Sequence, residues 1–296
     1  MLSVLIPTYN YNVVELVKAL YKQLEKQNIL FEIICFDNAS NSSINTKNEV
    51  INKMEFCYFT SLKQDVGRSK IRNLLAQKSK FDWLLFLDAD VLPVIDLFIE
   101  NYLTSIKNEE KVVYGGLKYK DEKPNSNKLL RWVYGKGREE ISLKERNLNP
   151  NNHFSSANFL IHKNVFKIYN FDESLTEYGH EDTLLGLELV RNNISITQID
   201  NPVYHLGLDE SSIFLQKTKT AVENLFKLQK QGKISELDNK LLKRYLEFKK
   251  MKVIKLFAFL FQKNEKIMKR NLISSNPSLF IFDLYKLGYL CMITSN

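Results

Sequence analysis

In the first part of the chain, short apolar runs alternate with longer stretches in which apolar positions recur every three or four residues. The runs predict strands at residues 3–6, 31–36, 56–60 and 81–87, and the longer stretches predict helices over 13–26, within 45–53 and over 67–79. This βαβα rhythm implies an α/β fold: a mostly parallel sheet flanked by helices, with ligands at the carboxyl ends of its strands.

Beyond this point the pattern loosens. A helix is predicted from Pro93 to Ile106 and a strand over 111–117, and then comes a polar stretch, 118–152, with Pro124 and Pro150. It reads as a long active-site loop or lid. Its Trp132 and Tyr134 can either stack on a sugar or form a small satellite core. Strands are predicted at 159–161 and 194–199 and a helix at 181–191. From Ser211 onward helical periodicity dominates, with a basic amphipathic stretch at 251–261 and an apolar segment at 279–293 that Asp283 and Lys286 interrupt.

Charge sharpens the division. The net charge is +8, but residues 211–296 hold 17 Lys and Arg against 6 Asp and Glu. The chain is therefore expected to divide into a domain at 1–210 and a basic helical extension at 211–296 that meets something anionic. Lysines interleaved with aliphatic and Phe residues, as in 252–261, suit a membrane interface better than nucleic acid. Three cysteines without a C-x-x-C pair indicate neither a disulfide framework nor a zinc site. The N-terminus reads as a first strand rather than a signal peptide, and no stretch reaches the roughly 18 to 20 apolar residues of a spanning helix. The expected location is cytoplasmic, with the extension peripheral at the inner face of the membrane.

Candidate chemistry clusters at the predicted strand ends. Asp88-Ala89-Asp90 closes the apolar run 81–87, where paired carboxylates suit a hard divalent cation and phosphate, although Asp90 could instead cap the next helix. Pro7-Thr8-Tyr9-Asn10 and Asp37-Asn38-Ala39-Ser40 follow the first two strands. Tyr9 could stack on a nucleobase and Asp37 accept its ring N–H, or both could be ordinary turns. Gly67-Arg68-Ser69-Lys70-Ile71-Arg72-Asn73 opens a helix whose N–H groups and dipole favour an anion. Arg68 and Arg72 share a helix face, which lets one reach a diphosphate while the other stays solvated.

These motifs, with Phe171-Asp172-Glu173 and Gly179-His180-Glu181-Asp182, stand in the order and rough spacing of family 2 glycosyltransferases of the GT-A fold, which residues 3 to about 207 resemble. The resemblance implies a nucleotide-sugar site in which Pro7, Thr8, Tyr9 and Asp37 hold the nucleoside. Arg72, with Arg68, would lie near the diphosphate and Asp88 near the ribose or sugar. Asp90 would coordinate Mn²⁺ or Mg²⁺, with His205 completing the metal shell. Asn158, in Phe154-Ser155-Ser156-Ala157-Asn158, would line the sugar pocket. Glu181-Asp182 resembles the family's acidic pair, with Asp182 as the base that deprotonates the acceptor hydroxyl.

The implied partners are a nucleoside diphosphate sugar donor, expected to be UDP-linked, and a glycan or lipid-linked acceptor, with no nucleic acid. The implied reaction is a metal-dependent, inverting transfer of one sugar. Two departures qualify the likeness: the second loop is Asp-Asn-Ala-Ser rather than the usual Asp-Asp-Gly-Ser, and no Gln-x-x-Arg-Trp motif of processive members is found, which favours single transfer. A nucleotidyltransferase would need a Gly-rich loop after the first strand, and residues 7–13 contain no glycine. The rival of another class is a non-catalytic scaffold, or a protein that binds polyanions or nucleic acid, acting through the basic extension.

Overall fold

Strand β1 (Leu2–Thr8) is apolar at almost every position because both of its faces are covered in the computed structural model, which describes residues 1–150 and 153–295. Val4 and Ile6 join one hydrophobic core and Leu5 the other, the alternation that a strand's two-residue period imposes. Helix α1 (Val14–Leu24) closes the first core with Leu16, Val17, Leu20 and Leu24. Strand β2 (Phe31–Asp37), helix α2 (Ile44–Asn48), strand β3 (Cys57–Ser61), helix α3 (Arg68–Lys78) and strand β4 (Trp83–Leu87) complete the predicted opening.

The chain continues through β5 (Val91–Pro93), α4 (Phe98–Lys107), β6 (Val112–Tyr114), β7 (Leu117–Lys118), α5 (Leu129–Tyr134), α6 (Leu143–Leu148) and β8 (Asn158–His162). After these come α7 (Lys163–Ile168), α8 (Glu181–Arg191), β9 (Thr197–Gln198) and β10 (Val203–His205), and the final helices are α9 (Ser211–Lys230), α10 (Lys240–Lys250), α11 (Ile254–Leu272) and α12 (Leu279–Thr294). Among the described residues the main sheet has the order β3-β2-β1-β4-β8-β6-β9. It is mostly parallel, with β8 antiparallel to both neighbours. A small second sheet, β5-β10-β7, pairs His205 with Val91.

The chain forms two compact units. The first comprises Met1–Lys120, Glu140–Thr176 and Glu181–Gly207, and the second comprises Asp121–Glu139, Glu177–His180 and the chain from Leu208 onward. The second unit is thus more than the extension expected at 211–296, because two earlier segments fold into it.

Two local expectations are corrected. Residues 93–97 are not the start of a helix: Val91–Pro93 pairs with β10, and the helix begins at Phe98. The stretch 118–152 is not a loop, since its described residues include α5, a π-helical turn at Gly135–Glu139 and α6, which Ser142 and Glu145 start with a capping box. Asn151 and Asn152 of that stretch lie outside the described residues. Tyr134 packs its ring 5.4 Å from both Phe214 and Phe282, so it belongs to the core of the second unit rather than to a sugar platform.

Behind the site a buried polar cluster ties the small sheet to the large one. Asn158 is fully buried: its Oδ1 accepts from Tyr102 Oη at 2.7 Å, and its Nδ2 donates to the carbonyls of Gly116 and Asn201 at 2.9 Å each. The assignment of Asn158 to the sugar pocket is therefore corrected, because the side chain is spent on protein partners. Gly115 makes room for them: an added Cβ would stand 2.5 Å from Asn158 Nδ2, Asn201 O and Tyr102 Oη. Replacing Asn158 with Ala would strand the Asn201 carbonyl, leave the Gly116 carbonyl only Val203 N at 3.3 Å and leave the Tyr102 hydroxyl only the backbone carbonyl of residue 158 at 3.4 Å, at a cost of about 2 to 3 kcal/mol. Calorimetry should show a thermal midpoint lowered by several degrees for Asn158→Ala. An unchanged midpoint with weakened donor binding would return Asn158 to the sugar pocket.

Candidate active site

Parallel pairing places Thr8 opposite Asp37, and Asp37 opposite Ser61, so the first three strands end on one rim. Asp37 is 1% exposed and accepts from Ser40 N, Asn45 Nδ2 and Ser61 Oγ at 2.8 Å each, and also from Ser40 Oγ. Oδ2 takes three of these bonds and Oδ1 only one. Thr8 is buried, Pro7 is half-buried, and the Tyr9 ring is 59% exposed beside them. Ala39 has φ +58°, a left-handed backbone that glycine adopts without steric cost, which explains why this position of the motif favours glycine.

Asn38 turns the motif's departure into a structural tie. Its N–H donates to Thr8 O at 2.9 Å, its Nδ2 donates to Asp65 Oδ1 at 2.6 Å, and its Oδ1 accepts from Val66 N at 2.9 Å. Asp65 Oδ1 also accepts from Gly67 N at 2.8 Å. The second loop thereby holds the segment that leads into α3. Neither Asp65 nor this role of Asn38 is evident from the sequence, since a lone Asp two residues before a Gly resembles any polar turn.

Helix α3 begins after Gly67, which has no side chain to cap it, a helix start of the kind whose dipole favours an anion. Arg72, expected near a diphosphate, is instead buried: Nη2 meets Asp88 Oδ1 at 2.5 Å and Nη1 donates to Arg68 O at 3.0 Å. Burial alone would raise the Asp88 carboxyl, but Arg72, helped by Arg68, holds it below the usual carboxylate range. Arg68 is the accessible cation, with its side chain 42% exposed and Nε 2.6 Å from Glu181 Oε1.

Asp90 is far from its partners His205 and Leu206 in sequence but beside them in space. Its Oδ2 lies 3.7 Å from His205 Nε2, and its backbone carbonyl accepts from Leu206 N at 2.7 Å. The His205 ring stacks on Tyr119 at 5.4 Å, and its Nδ1 is buried without a hydrogen-bond partner among the described residues. Gly207 gives the carboxylate its seat, since a Cβ there would stand 1.8 Å from Asp90 Oδ2. Tyr119 and Gly207 thus line the candidate site, and neither is marked out for it by its local sequence. Gly207 adjoins the His205 motif, but only the fold shows that Asp90 fills the space beside it. Burial raises the Asp90 carboxyl, His205 opposes the rise and Asp88 adds to it. No group of three or more His, Cys, Asp or Glu able to hold a metal ion is present among the described residues.

Glu181 and Asp182 open α8, where the helix dipole favours acids. The structure separates their characters. Burial would raise Glu181, but Arg68 and Arg72 hold its carboxyl low, and the ion pair removes it as a proton acceptor. Asp182 is pushed up to about 6, chiefly by burial and then by the negative charge of Glu181, while accepting from Thr183 N at 2.7 Å. One group is thus held ionised beside another poised near neutrality.

Comparison with known proteins agrees with this geometry. Residues 3–169, more than half of the chain, match glycosyl transferase family 2. Over 236 residues, 69% of this chain, the sequence is 25% identical to chondroitin synthase of Pasteurella multocida (strain Pm70); the match spans 24% of that relative's length. The mannosyltransferase PcManGT from Pyrobaculum calidifontis, solved with GDP-Man and Mn²⁺, superposes with a TM-score of 0.54 at 12% identity, covering 77% of this chain and 64% of that one. S. aureus TarS 1-349 in complex with UDP-GlcNAc gives a TM-score of 0.51 at 17% identity over 99% of this chain and 91% of that one. Its α/β architecture is that of the GT-A fold, and the chain belongs to glycosyl transferase family 2 and is a glycosyltransferase.

Proposed function

We propose that the chain transfers a single sugar from a nucleoside diphosphate donor, UDP-linked, to a hydroxyl of a glycan or lipid-linked acceptor, with inversion at the anomeric carbon. The observation that carries this reading is that one acid of each pair, Asp88 beside Asp90 and Glu181 beside Asp182, is ion-paired to a guanidinium at the start of α3. A donor diphosphate at that turn would stand between metal-binding and proton-accepting carboxylates. The named activities of the chondroitin synthase relative and the nucleotide-sugar complexes of the structural neighbours support the donor class and a polysaccharide acceptor.

Asp90 and His205 fit a divalent cation. Their 3.7 Å separation is too long for a hydrogen bond, yet within the about 4.2 Å that two metal–ligand bonds can span, and the absence of a Cβ at Gly207 leaves the carboxylate its place. Two protein ligands suit an ion that shares its remaining positions with phosphate oxygens and water. When bound, such a cation supplies positive charge to the departing nucleoside diphosphate. Asp88, kept ionised by Arg72, accepts hydrogen bonds from ribose or sugar hydroxyls. The exposed ring of Tyr9 offers a stacking face, and Oδ1 of Asp37 has a lone pair for a base N–H. Asp182 takes the acceptor proton as the hydroxyl attacks from the face opposite the leaving group, while Glu181 keeps it basic and anchors Arg68.

A donor screen that measures nucleotide release from UDP-, GDP- and dTDP-sugars with Mn²⁺ or Mg²⁺ tests the reading. Turnover should require the cation and fall to background in Asp90→Asn; undiminished turnover in that variant would overturn the ligand assignment. Asp182→Asn should lower kcat about 10²- to 10⁴-fold with little change in donor affinity measured by calorimetry.

The base must be ionised to act, so kcat/KM should be full above about pH 6 and fall about tenfold per unit below it. Glu181→Gln removes a negative neighbour and frees Arg68, so the acid limb should move to lower pH. A limb that stays in place would remove Asp182 as the group that titrates.

A further inference from the structure

Helix α11 has two apolar faces, and only one of them has a partner among the described residues. Ala258, Phe261 and Leu272 are buried, with the Phe261 ring 5.4 Å from Tyr285 of α12 and close enough to Gly288 that a Cβ there would stand 2.4 Å from it. On the opposite side Leu256, Phe259, Leu260 and Ile267 are between 45 and 63% exposed. At 3.6 residues per turn these four fall within an arc of roughly 100°. The basic stretch predicted at 251–261 therefore divides: Ala258 and Phe261 turn inward, and the outward apolar stripe runs on to Ile267.

The charge on that outward side is of one sign. Lys263 and Arg270 lie within the arc and Lys255 and Lys266 border it, and none of the four forms an ion pair among the described residues. The Lys263 ammonium stands 5.6 Å from the centre of the Phe259 ring. Glu265, the helix's single acid, is taken up by Lys219 and Lys269 at 2.9 and 3.0 Å. The stripe thus combines large apolar side chains with cations that lack counter-charges, the combination that suits a helix lying in a headgroup region. No described helix is long and apolar enough to cross a membrane.

We infer that this outward face of α11 seats the protein on an anionic phospholipid surface, its apolar side chains entering the acyl boundary while its cations meet lipid phosphates. The inference rests on the second unit alone and is independent of the reaction assigned to the first.

Sedimentation of the 296-residue chain with vesicles tests it, using phosphatidylcholine alone or mixed with about 30% phosphatidylglycerol. The wild type should sediment with the anionic vesicles at low salt and be released by added salt. Leu260→Asp and the double change Lys263→Gln with Lys266→Gln should each weaken binding roughly tenfold or more, with thermal midpoints unchanged. Phe259→Trp keeps an aromatic ring at the exposed site and should show a blue shift in emission on anionic vesicles only. Equal sedimentation of wild type and variants would overturn the inference, as would a Phe259→Trp emission that vesicles do not move. A concentration-dependent dimer that Leu260→Asp dissociates, without vesicle binding, would assign the face to a second copy and overturn it as well.

Discussion

Two guanidinium groups, one helical turn apart at the start of α3, hold the site together by dividing four carboxylates into two kinds. Arg72 is buried against Asp88, and Arg68 reaches out to Glu181. The Arg72–Asp88 pair is not a simple gain, because both ions leave water, but removing one partner strands the other at a cost of about 3 to 5 kcal/mol. The acids that find a cation stay ionised. The other two, Asp90 and Asp182, have burial and a like-charged neighbour acting on them, and both are raised. Residues of one type in two short motifs therefore acquire different chemistry from their surroundings.

The second constraint is the small sheet. Pairing β10 with β5 sets His205 opposite Val91, joins Leu206 N to Asp90 O and presses Gly207 against the Asp90 carboxylate. Behind it, the Tyr102, Asn158 and Asn201 cluster and the close approach at Gly115 link β8, α4 and the segment entering β10. The rim keeps its geometry because its support is saturated with hydrogen bonds; a partly satisfied network in the same place would be costly and loose.

The second unit follows a different logic. Its aromatic cluster of Tyr134, Phe214 and Phe282 forms a core out of segments far apart in the chain, which is why residues that read as loop fold as helix. Its basic character concentrates on surfaces rather than in that core. On α11 the cations accompany an apolar stripe that the unit's own helices leave uncovered.

The periodicity of residues 3–87 was sufficient to determine the parallel sheet, since buried strands need apolar residues on both faces and the helices between them need only one stripe. The motifs at strand ends were equally legible, because turns and helix starts draw on few residue types for local reasons. Local pattern could not reveal which acid meets which cation. That Arg72 is spent on Asp88, that Glu181 is an ion-pair partner beside Asp182, and that Asn158 is structural all depend on contacts between residues distant in sequence. The 118–152 stretch misled partly for the same reason: α5 packs Tyr134 on Phe214 and Phe282, far along the chain, whereas the capping box that starts α6 is a local signal. Sequence alone determined the elements and their chemical inventory, because these follow from nearest neighbours and period. Tertiary structure alone decided the protonation preferences and the division of roles, because burial and charge pairing exist only once the strands have brought distant side chains together.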